Sequence, residues 1–184
     1  QGRIKRVARD DLVPAAGRGP AVVIGLDEGD ELGWVEATDG LQELVLVTRQ
    51  AQAIRFAEAE VRPMGLPAAG VLAVKLEQND AVVGVGTYRA GAFVVTFTDA
   101  GFGKRTLVEL FPLQKRYGSG VQAARCTART GLLAVAALAA EEQDLVLATS
   151  KGNVFTVAVA VVLPAGRAVA GSSTPQGGAV PYFE

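Results

Sequence analysis

The chain has 184 residues, of which 49% are hydrophobic and 20% charged, and its formal net charge is −1. This length allows one sizeable core or a short array of small units, and the near-zero charge excludes a uniformly basic nucleic-acid-binding domain but not a segregated basic face. The sequence contains no histidine, so it lacks the most common general base and metal ligand and does not favour a catalytic site.

Short Val-rich runs recur between Gly and Pro residues, a pattern that predicts an all-β protein. No apolar run reaches the roughly 20 residues needed to span a bilayer, and "QGRIKRV" at the start has no signal-peptide core, so we expect a soluble chain. The single cysteine, Cys126, has no partner for a disulfide or a zinc site. This fits a reducing cytoplasm, and we interpret Cys126 as a small buried hydrophobe in a strand rather than a reactive thiol.

Three strand-like segments recur in chain order. "LVLVT" ends at Thr48, "FVVTFT" at Thr98 and "LVLAT" at Thr149, with spacings of fifty and fifty-one residues. The start of the chain and the later copies then place a small residue four positions before an Arg or Thr: Gly2 and Arg6, Ala51 and Arg55, Gly101 and Arg105, Gly152 and Thr156. A repeat of this length, with some four short strands, is the size of a propeller blade. It predicts units at residues 1–48, 49–98, 99–149 and 150–184, the last incomplete.

The second half of each unit repeats as well. "AGRGPAVV", "MGLPAAGVLAV", "YGSGVQAA" and "AGRAVAGS" place glycines around a small-residue strand, and the acidic turns in "DEGDELGWV" and "EQNDAVVGV" lead into another strand. "DEGD" lacks the alternating oxygen ligands of a calcium loop and is interpreted as a turn. Trp34 is expected to pack in the core or between blades rather than stack on bases. The tail "GSSTPQGGAVPYFE" is expected to be poorly ordered at its end.

"DAGFGKRT", residues 99 to 106, is partly like a phosphate-binding P-loop. A P-loop needs a Gly where Thr98 stands and a Ser or Thr where Arg105 follows Lys104. A nucleotide site is therefore not favoured, and the stretch is interpreted as one copy of the repeated strand-turn-strand element.

Several segments resemble one known family in their order and spacing, namely "GRIKR", "DEGDEL", "AIRF", "EVRPMG", "AAGVLAVKL", "NDAVVGV", "GFGKRT" and "TGLLAV". The family is the C-terminal domain of the A subunit of bacterial DNA gyrase, with its relative in topoisomerase IV. The resemblance implies an all-β fold, a β-pinwheel or propeller-like disc of about four repeated four-stranded blades with strand exchange between neighbours. It also implies a non-catalytic module that binds and bends or wraps duplex DNA on a basic rim and needs no cofactor.

The same resemblance implies that the catalytic Tyr and the ATPase site of the topoisomerase lie outside these residues. The implied partners are double-stranded DNA, the ATPase B subunit of the parent enzyme, and the N-terminal catalytic part of its A subunit, with no membrane. The isolated domain would be monomeric, and the parent enzyme would work in the cytoplasm, associated with the nucleoid.

The family has a basic signature heptapeptide: Gln, Arg or Lys, Arg, Gly, Gly, Arg or Lys, Gly. Its best match here is "QKRYGSG", in which Tyr117 and Ser119 depart from the pattern. The matching residues are Gln114, Lys115, Arg116, Gly118 and Gly120. We interpret this stretch as the equivalent turn of a later blade, with the true heptapeptide missing or upstream. Because the resemblance implies that the heptapeptide is needed to wrap DNA and introduce negative supercoils, it stays open whether the parent enzyme can supercoil DNA.

DNA wrapped without reading its sequence requires Lys and Arg at regular intervals on a curved edge. The candidates are the in-phase arginines and the basic residues of the glycine turns: Lys5, Arg6, Arg18, Arg55, Arg62, Lys104, Arg105, Lys115, Arg116 and Arg167. Any one of these could instead be a solvated strand cap or protect a sheet edge. Tyr117 could contact the backbone or a minor groove. The alternative function is a propeller-like scaffold that binds protein through its face.

Overall fold

The computed structural model describes residues 1–17, 19–149 and 151–173. The predicted DNA contact Arg18 and the tail from residue 174 onward lie outside the described residues. The strands are β1 (Arg3–Ile4), β2 (Glu43–Thr48), β3 (Gln52–Ala57), β4 (Val71–Leu72), β5 (Val82–Thr87), β6 (Phe93–Thr98), β7 (Phe102–Leu107), β8 (Val121–Gln122), β9 (Leu133–Ala139), β10 (Asp144–Ala148), β11 (Val154–Ala158) and β12 (Ser172–Ser173). There is also one helix, α1 (Arg9–Ala16), and 3-10 segments lie at Glu58–Glu60, Val108–Leu110 and Val159–Val161.

Three tight hairpins, β2–β3, β6–β7 and β10–β11, carry the fifty-residue repeat. In the first hairpin the Thr48 carbonyl accepts the N–H of Ala51 at 2.9 Å, and the Thr48 hydroxyl accepts the N–H of Gln52 at 3.2 Å. Ala51 has φ of 62°, and the equivalent Gly101 and Gly152 both have φ of 80°. This left-handed position explains why a small residue recurs three places after each threonine. The predicted unit boundaries fall in these three turns, and the division into four units stays a prediction.

Two four-stranded antiparallel sheets are complete in the described residues. Blade I has the order β5-β2-β3-β8, and blade II has the order β12-β7-β6-β9. In each blade the fourth strand comes from the next repeat, because β8 follows β7 in the chain but pairs with β3, and β12 follows β11 but pairs with β7. In the same way β4 follows β3 and pairs with β1. The all-β, propeller-like fold with strands exchanged between neighbours is therefore confirmed.

The blades bury both faces of their inner strands. On β2, Leu44 and Leu46 pack into one core cluster, whereas Val45 and Val47 pack into another, together with Val94 of β6. Full burial of such a side chain contributes about 1.5–3 kcal/mol. The continuous apolar run "LVLVT" follows from this arrangement, since a strand covered on both faces has no polar side to alternate with.

Three local expectations differ from the structure. Residues 31–39, which follow the first acidic turn, form no strand, although the second acidic turn leads into β5 as predicted. The corresponding strands of the later repeats, β5 and β9, each pair with the first strand of a hairpin. In the described part of the chain β1 has no such first strand before it, so residues 31–39 have no equivalent strand to pair with. Trp34 is consequently 40% exposed instead of in the core. Cys126 is half-buried against the core but lies outside any strand.

Candidate nucleic-acid interface

Three recurrent arginines occupy equivalent places in successive repeats. Each makes an isolated parallel bridge to a residue that follows a 3-10 segment: Arg6 to Pro63, Arg55 to Leu113 and Arg105 to Pro164. The backbone pairing thus places them in phase, as the repeat predicts. Their side chains are only 23%, 13% and 10% exposed, however, and each lies beside a carboxylate.

Arg55 joins three segments of the chain. Its Nε donates to Glu43 Oε2 at 2.5 Å, and its Nη1 donates to the Phe111 carbonyl at 3.2 Å. Its guanidinium also lies over the ring of Tyr88, 3.6 Å from the centroid. Charge-assisted and cation–π contacts of this kind are strongest when they are partly desolvated. Arg55 therefore fastens β3 to β2, to the residue that follows β5 and to the residue that follows the 3-10 segment of the next repeat.

The other two arginines make related contacts. Arg105 Nη1 lies 2.8 Å from Glu141 Oε1, and its guanidinium lies 4.5 Å from the Phe93 ring centroid. Arg6 Nη1 lies 3.7 Å from Glu58 Oε1, in a carboxylate that is itself buried. Neighbouring segments therefore supply carboxylates, and for Arg55 and Arg105 also aromatic rings, that cover these three side chains. Contact of these three with DNA stays a prediction that their burial does not favour.

The two predicted lysines beside these arginines also have protein partners. Lys104 is 1% exposed, and its Nζ donates to the carbonyls of Gly166 at 2.7 Å and Arg167 at 2.8 Å. Burial, the largest cause, lowers the pKa of Lys104 to about 8. Lys5 Nζ donates to the Val23 carbonyl at 2.5 Å. Lys104 precedes Arg105 as Ile54 precedes Arg55 in β3, so the two residues are equivalent in the repeat. Ile54 is fully buried, and Lys104 therefore occupies an interior position.

Each exchanged strand follows a seven-residue segment that we call a glycine turn, at residues 64–70, 114–120 and 165–171. In the second turn Arg116 Nη1 donates to the Leu72 carbonyl, and in the third Arg167 Nη1 donates to the Gln122 carbonyl at 3.4 Å. Leu72 and Gln122 end the exchanged strands β4 and β8. Arg116 and Arg167 are thus in phase, and each ties its turn to the exchanged strand of the preceding repeat.

Glycines of the signature-like stretch allow close backbone approach. Gly120 has φ of +75°, and a Cβ added there would lie 2.5 Å from the Ala53 carbonyl oxygen. Gly118 is less tightly confined, and its carbonyl accepts the N–H of Lys75 at 3.0 Å. Gln114 donates its N–H to the Arg55 carbonyl at 2.7 Å. These residues hold the turn against β3 and against the segment that follows β4.

Residues alternate in exposure along the second glycine turn. Lys115, Tyr117 and Ser119 are exposed, whereas the residues between them are half-buried. The Lys115 side chain is 93% exposed, and its Nζ lies 3.9 Å from Glu60 Oε1, a weak surface pair. Tyr117 is 48% exposed. Lys115 therefore presents its charge to solvent, as does the exposed Arg62 after the first 3-10 segment.

Two further exposed cations recur in phase but were missed among the predicted contacts. The N–H of Lys75 bonds to the Gly118 carbonyl at 3.0 Å, and the N–H of Arg125 bonds to the Val169 carbonyl at 3.3 Å. Both side chains are exposed. Each thus stands beside the glycine turn of the following repeat, fifty residues apart. The signal in the sequence is their shared place, directly after two small apolar residues in "LAVK" and "QAAR".

The described residues contain no group of three or more Cys, Asp or Glu that could hold a metal ion. No helix in residues 1–17, 19–149 and 151–173 is long and apolar enough to cross a membrane.

A family model described as "DNA gyrase C-terminal domain, beta-propeller" matches residues 42–87, 92–130 and 143–180. The chain belongs to this family. It is 39% identical over 174 residues to the DNA gyrase A protein of Aminobacterium colombiense, covering 94% of this chain and 21% of that protein. The chain therefore spans about a fifth of that relative.

Solved structures agree with this gyrase-family fold. The C-terminal domain of DNA topoisomerase IV matches with a TM-score of 0.79 and 27% identity, over 86% of this chain and 50% of that one. A DNA gyrase A C-terminal domain matches with a TM-score of 0.83 over 100% of this chain and 59% of that one. At 19% identity the second match supports the fold alone.

Proposed function

We propose that this gyrase-family domain binds and bends duplex DNA without reading its sequence. The observation that carries the proposal is the exposed basic cluster at the glycine turns, in which Lys75 and Arg125 repeat in phase and Lys115 stands on the turn beside Lys75. Regular exposed cations on successive repeats fit the regular phosphates of a duplex. In this proposal the covered residues Arg6, Arg55 and Arg105 fasten neighbouring segments together. The exposed residues Lys75, Lys115 and Arg125 contact the phosphates.

We further propose that the domain is a non-catalytic module of the A subunit of a type II topoisomerase. In this role it requires no cofactor, and the catalytic Tyr and the ATPase site belong to other parts of the enzyme. The bent duplex is presented for strand passage to those parts, which are the B subunit together with the N-terminal region of the A subunit. This assignment is supported by the family and by the small share of the gyrase relative that the chain covers.

The test replaces the three exposed cations together, as Lys75→Ala, Lys115→Ala and Arg125→Ala. Each lost phosphate contact lowers the slope of log K against log salt by about 0.9, so the triple variant should lose about 2.7. A matched control, Arg49→Ala, Arg89→Ala and Lys151→Ala, removes the same charge from exposed positions outside the cluster. Fluorescence anisotropy with a labelled duplex between low and moderate salt gives both slopes. Equal losses in the two triple variants would refute the proposed interface.

Wrapping is tested separately from binding. The domain is incubated with nicked circular DNA, the nick is sealed with ligase, and the linking number is measured on a gel. A directional shift that grows with protein concentration supports wrapping with a fixed hand. Binding without a shift would leave bending alone and refute wrapping.

A protein-binding scaffold is the second candidate, and one observation favours it. Leu107, Leu110 and Leu113 are 44%, 48% and 55% exposed around the second 3-10 segment. Exposed apolar side chains grouped in this way are typical of protein contacts. If that is the function, the triple Lys75, Lys115 and Arg125 variant binds DNA like the unaltered chain, and replacing the three leucines by Ser abolishes capture of a protein partner.

A further inference from the structure

The second glycine turn is the one of the three that carries a cation and an aromatic ring on its exposed side. Lys115 and Tyr117 point outward there, whereas the equivalent residues are Gly65 and Pro67 in the first turn. In the third turn they are Gly166 and Ala168. The three turns share their backbone pairing but not this surface.

Tyr117 has a backbone conformation that tyrosine seldom adopts. Its φ is +65°, in the left-handed region that favours glycine. A side chain at this φ carries a conformational cost, so the ring is present despite that cost. Non-glycine residues held in this region are concentrated at functional sites. A functional contact of the exposed ring would account for keeping tyrosine at this position.

The backbone around Tyr117 is held on both sides. Its N–H donates to the Ala73 carbonyl at 2.8 Å, and the N–H of Lys75 donates to the Gly118 carbonyl at 3.0 Å. The N–H of Arg116 donates to Glu60 Oε2 at 2.8 Å. A ring presented by a fixed backbone loses little conformational entropy on binding.

The positive charges of two lysines near the ring favour an anionic ligand. Lys115 is 93% exposed on the same turn, and the exposed Lys75 is hydrogen-bonded through its backbone to the turn. An exposed aromatic ring, with one exposed cation on its own turn and another on the segment hydrogen-bonded to that turn, suits a duplex groove flanked by phosphates. Apolar side chains inserted at a base step from the minor groove unstack it and kink the duplex.

We propose that Tyr117 is a wedge that inserts into the minor groove of the bound duplex and produces its sharpest bend, while Lys115 and Lys75 contact the flanking phosphates. This inference rests on the DNA-binding function proposed above and adds the residue and the mode of bending. Flexible pyrimidine–purine steps unstack most easily. The bend should therefore centre on such a step when one is within reach of the turn.

The first experiment uses Tyr117→Gly, which removes the ring and suits the positive φ, so the thermal transition should not fall. Duplex affinity should fall about fivefold or more at every salt concentration. The slope of log K against log salt should stay unchanged, because a ring releases no counterions. The bend, measured by energy transfer between dyes at the duplex ends, should decrease. Tyr117→Phe should retain both affinity and bend.

Lys115→Ala is the matched control, and its expected effects on the salt slope and the bend are the reverse of those of Tyr117→Gly. It should lower the salt slope by about 0.9 and keep the bend. If Tyr117→Gly folds poorly, Tyr117→Asn removes the ring with a residue that also tolerates a positive φ.

Two outcomes separate the proposals. If the unaltered chain does not bind duplex DNA, the proposed function fails. If it binds and bends DNA but Tyr117→Gly and Tyr117→Asn bind and bend equally well, or lose affinity only through the salt slope, the wedge is refuted while the function stands.

Discussion

The buried lysine Lys104 should make the stability of the domain increase with pH. The pKa of Lys104 is lowered from 10.5 to about 8, chiefly by burial, with the nearby Arg167 adding to the decrease and Cys126 opposing it. Between these two pH values the unfolded chain binds more protons than the folded chain, so the free energy of unfolding rises with pH. The gain is complete above pH 10.5 and is lost as the pH falls through about 8.

The magnitude follows from the size of the shift. A decrease from 10.5 to about 8 corresponds to about 3 kcal/mol at 1.36 kcal/mol per pKa unit. Cys126 acts in the opposite direction, because burial raises the pKa of its thiol above 9.0. A folded thiol that keeps its proton longer than the unfolded thiol lowers stability as the pH increases past that value. The Lys104 contribution must therefore be isolated by difference.

The assay is urea unfolding at several pH values between 7 and 11, followed by circular dichroism, for four chains. These are the unaltered chain, Lys104→Met, Cys126→Ser and the double variant. The rise with pH should disappear when Lys104 is replaced and become steeper when only Cys126 is replaced. Lys104→Met should leave the salt slope of DNA binding unchanged, because the ammonium bonds to two carbonyls of the third glycine turn. A pH profile that is the same with and without Lys104 would refute this reasoning.

Two further stability predictions follow from the contacts. Arg55→Ala should lower the free energy of unfolding by about 2–4 kcal/mol, since it leaves the half-buried Glu43 unpaired and uncovers Tyr88; a loss within 0.5 kcal/mol, the usual range for surface changes, would show that the contacts contribute nothing. Gly120→Ala should cost more than Gly91→Ala in urea unfolding, because both positions have positive φ but only the Cβ at Gly120 would meet backbone, at 2.5 Å. The excess should be about 1–3 kcal/mol, and equal costs would mean that the exchanged strand tolerates a shift of its turn.

Much of the fold could be predicted from the sequence because its determinants are local. The left-handed residue of each hairpin turn favours glycine or another small residue, and the threonine before it caps the turn. These two requirements recur every fifty residues and therefore mark the hairpins directly. The exchange of strands, by contrast, was implied by the family resemblance and not by any pattern in the chain.

The site was less predictable because exposure depends on residues far away in the sequence. The repeat phase correctly relates Arg6, Arg55 and Arg105 but does not show that each is covered. Glu141 is thirty-six residues from Arg105, and Glu58 is fifty-two from Arg6. Lys75 and Arg125 carry the same phase signal and were missed, because nothing local distinguishes a free cation from a paired one.

The sequence by itself determined the all-β class, the repeat and the positions at which charges recur, since these depend on turn conformation and on apolar runs within a few residues. Only the tertiary structure decided which of those charges face solvent. Strand exchange brings the turn of one repeat onto the strands of the previous one, so of two adjacent basic residues Arg116 bonds to the preceding repeat and Lys115 stays an exposed cation. Burial of a charge requires a partner, and the partners are assembled only when the blades pack together.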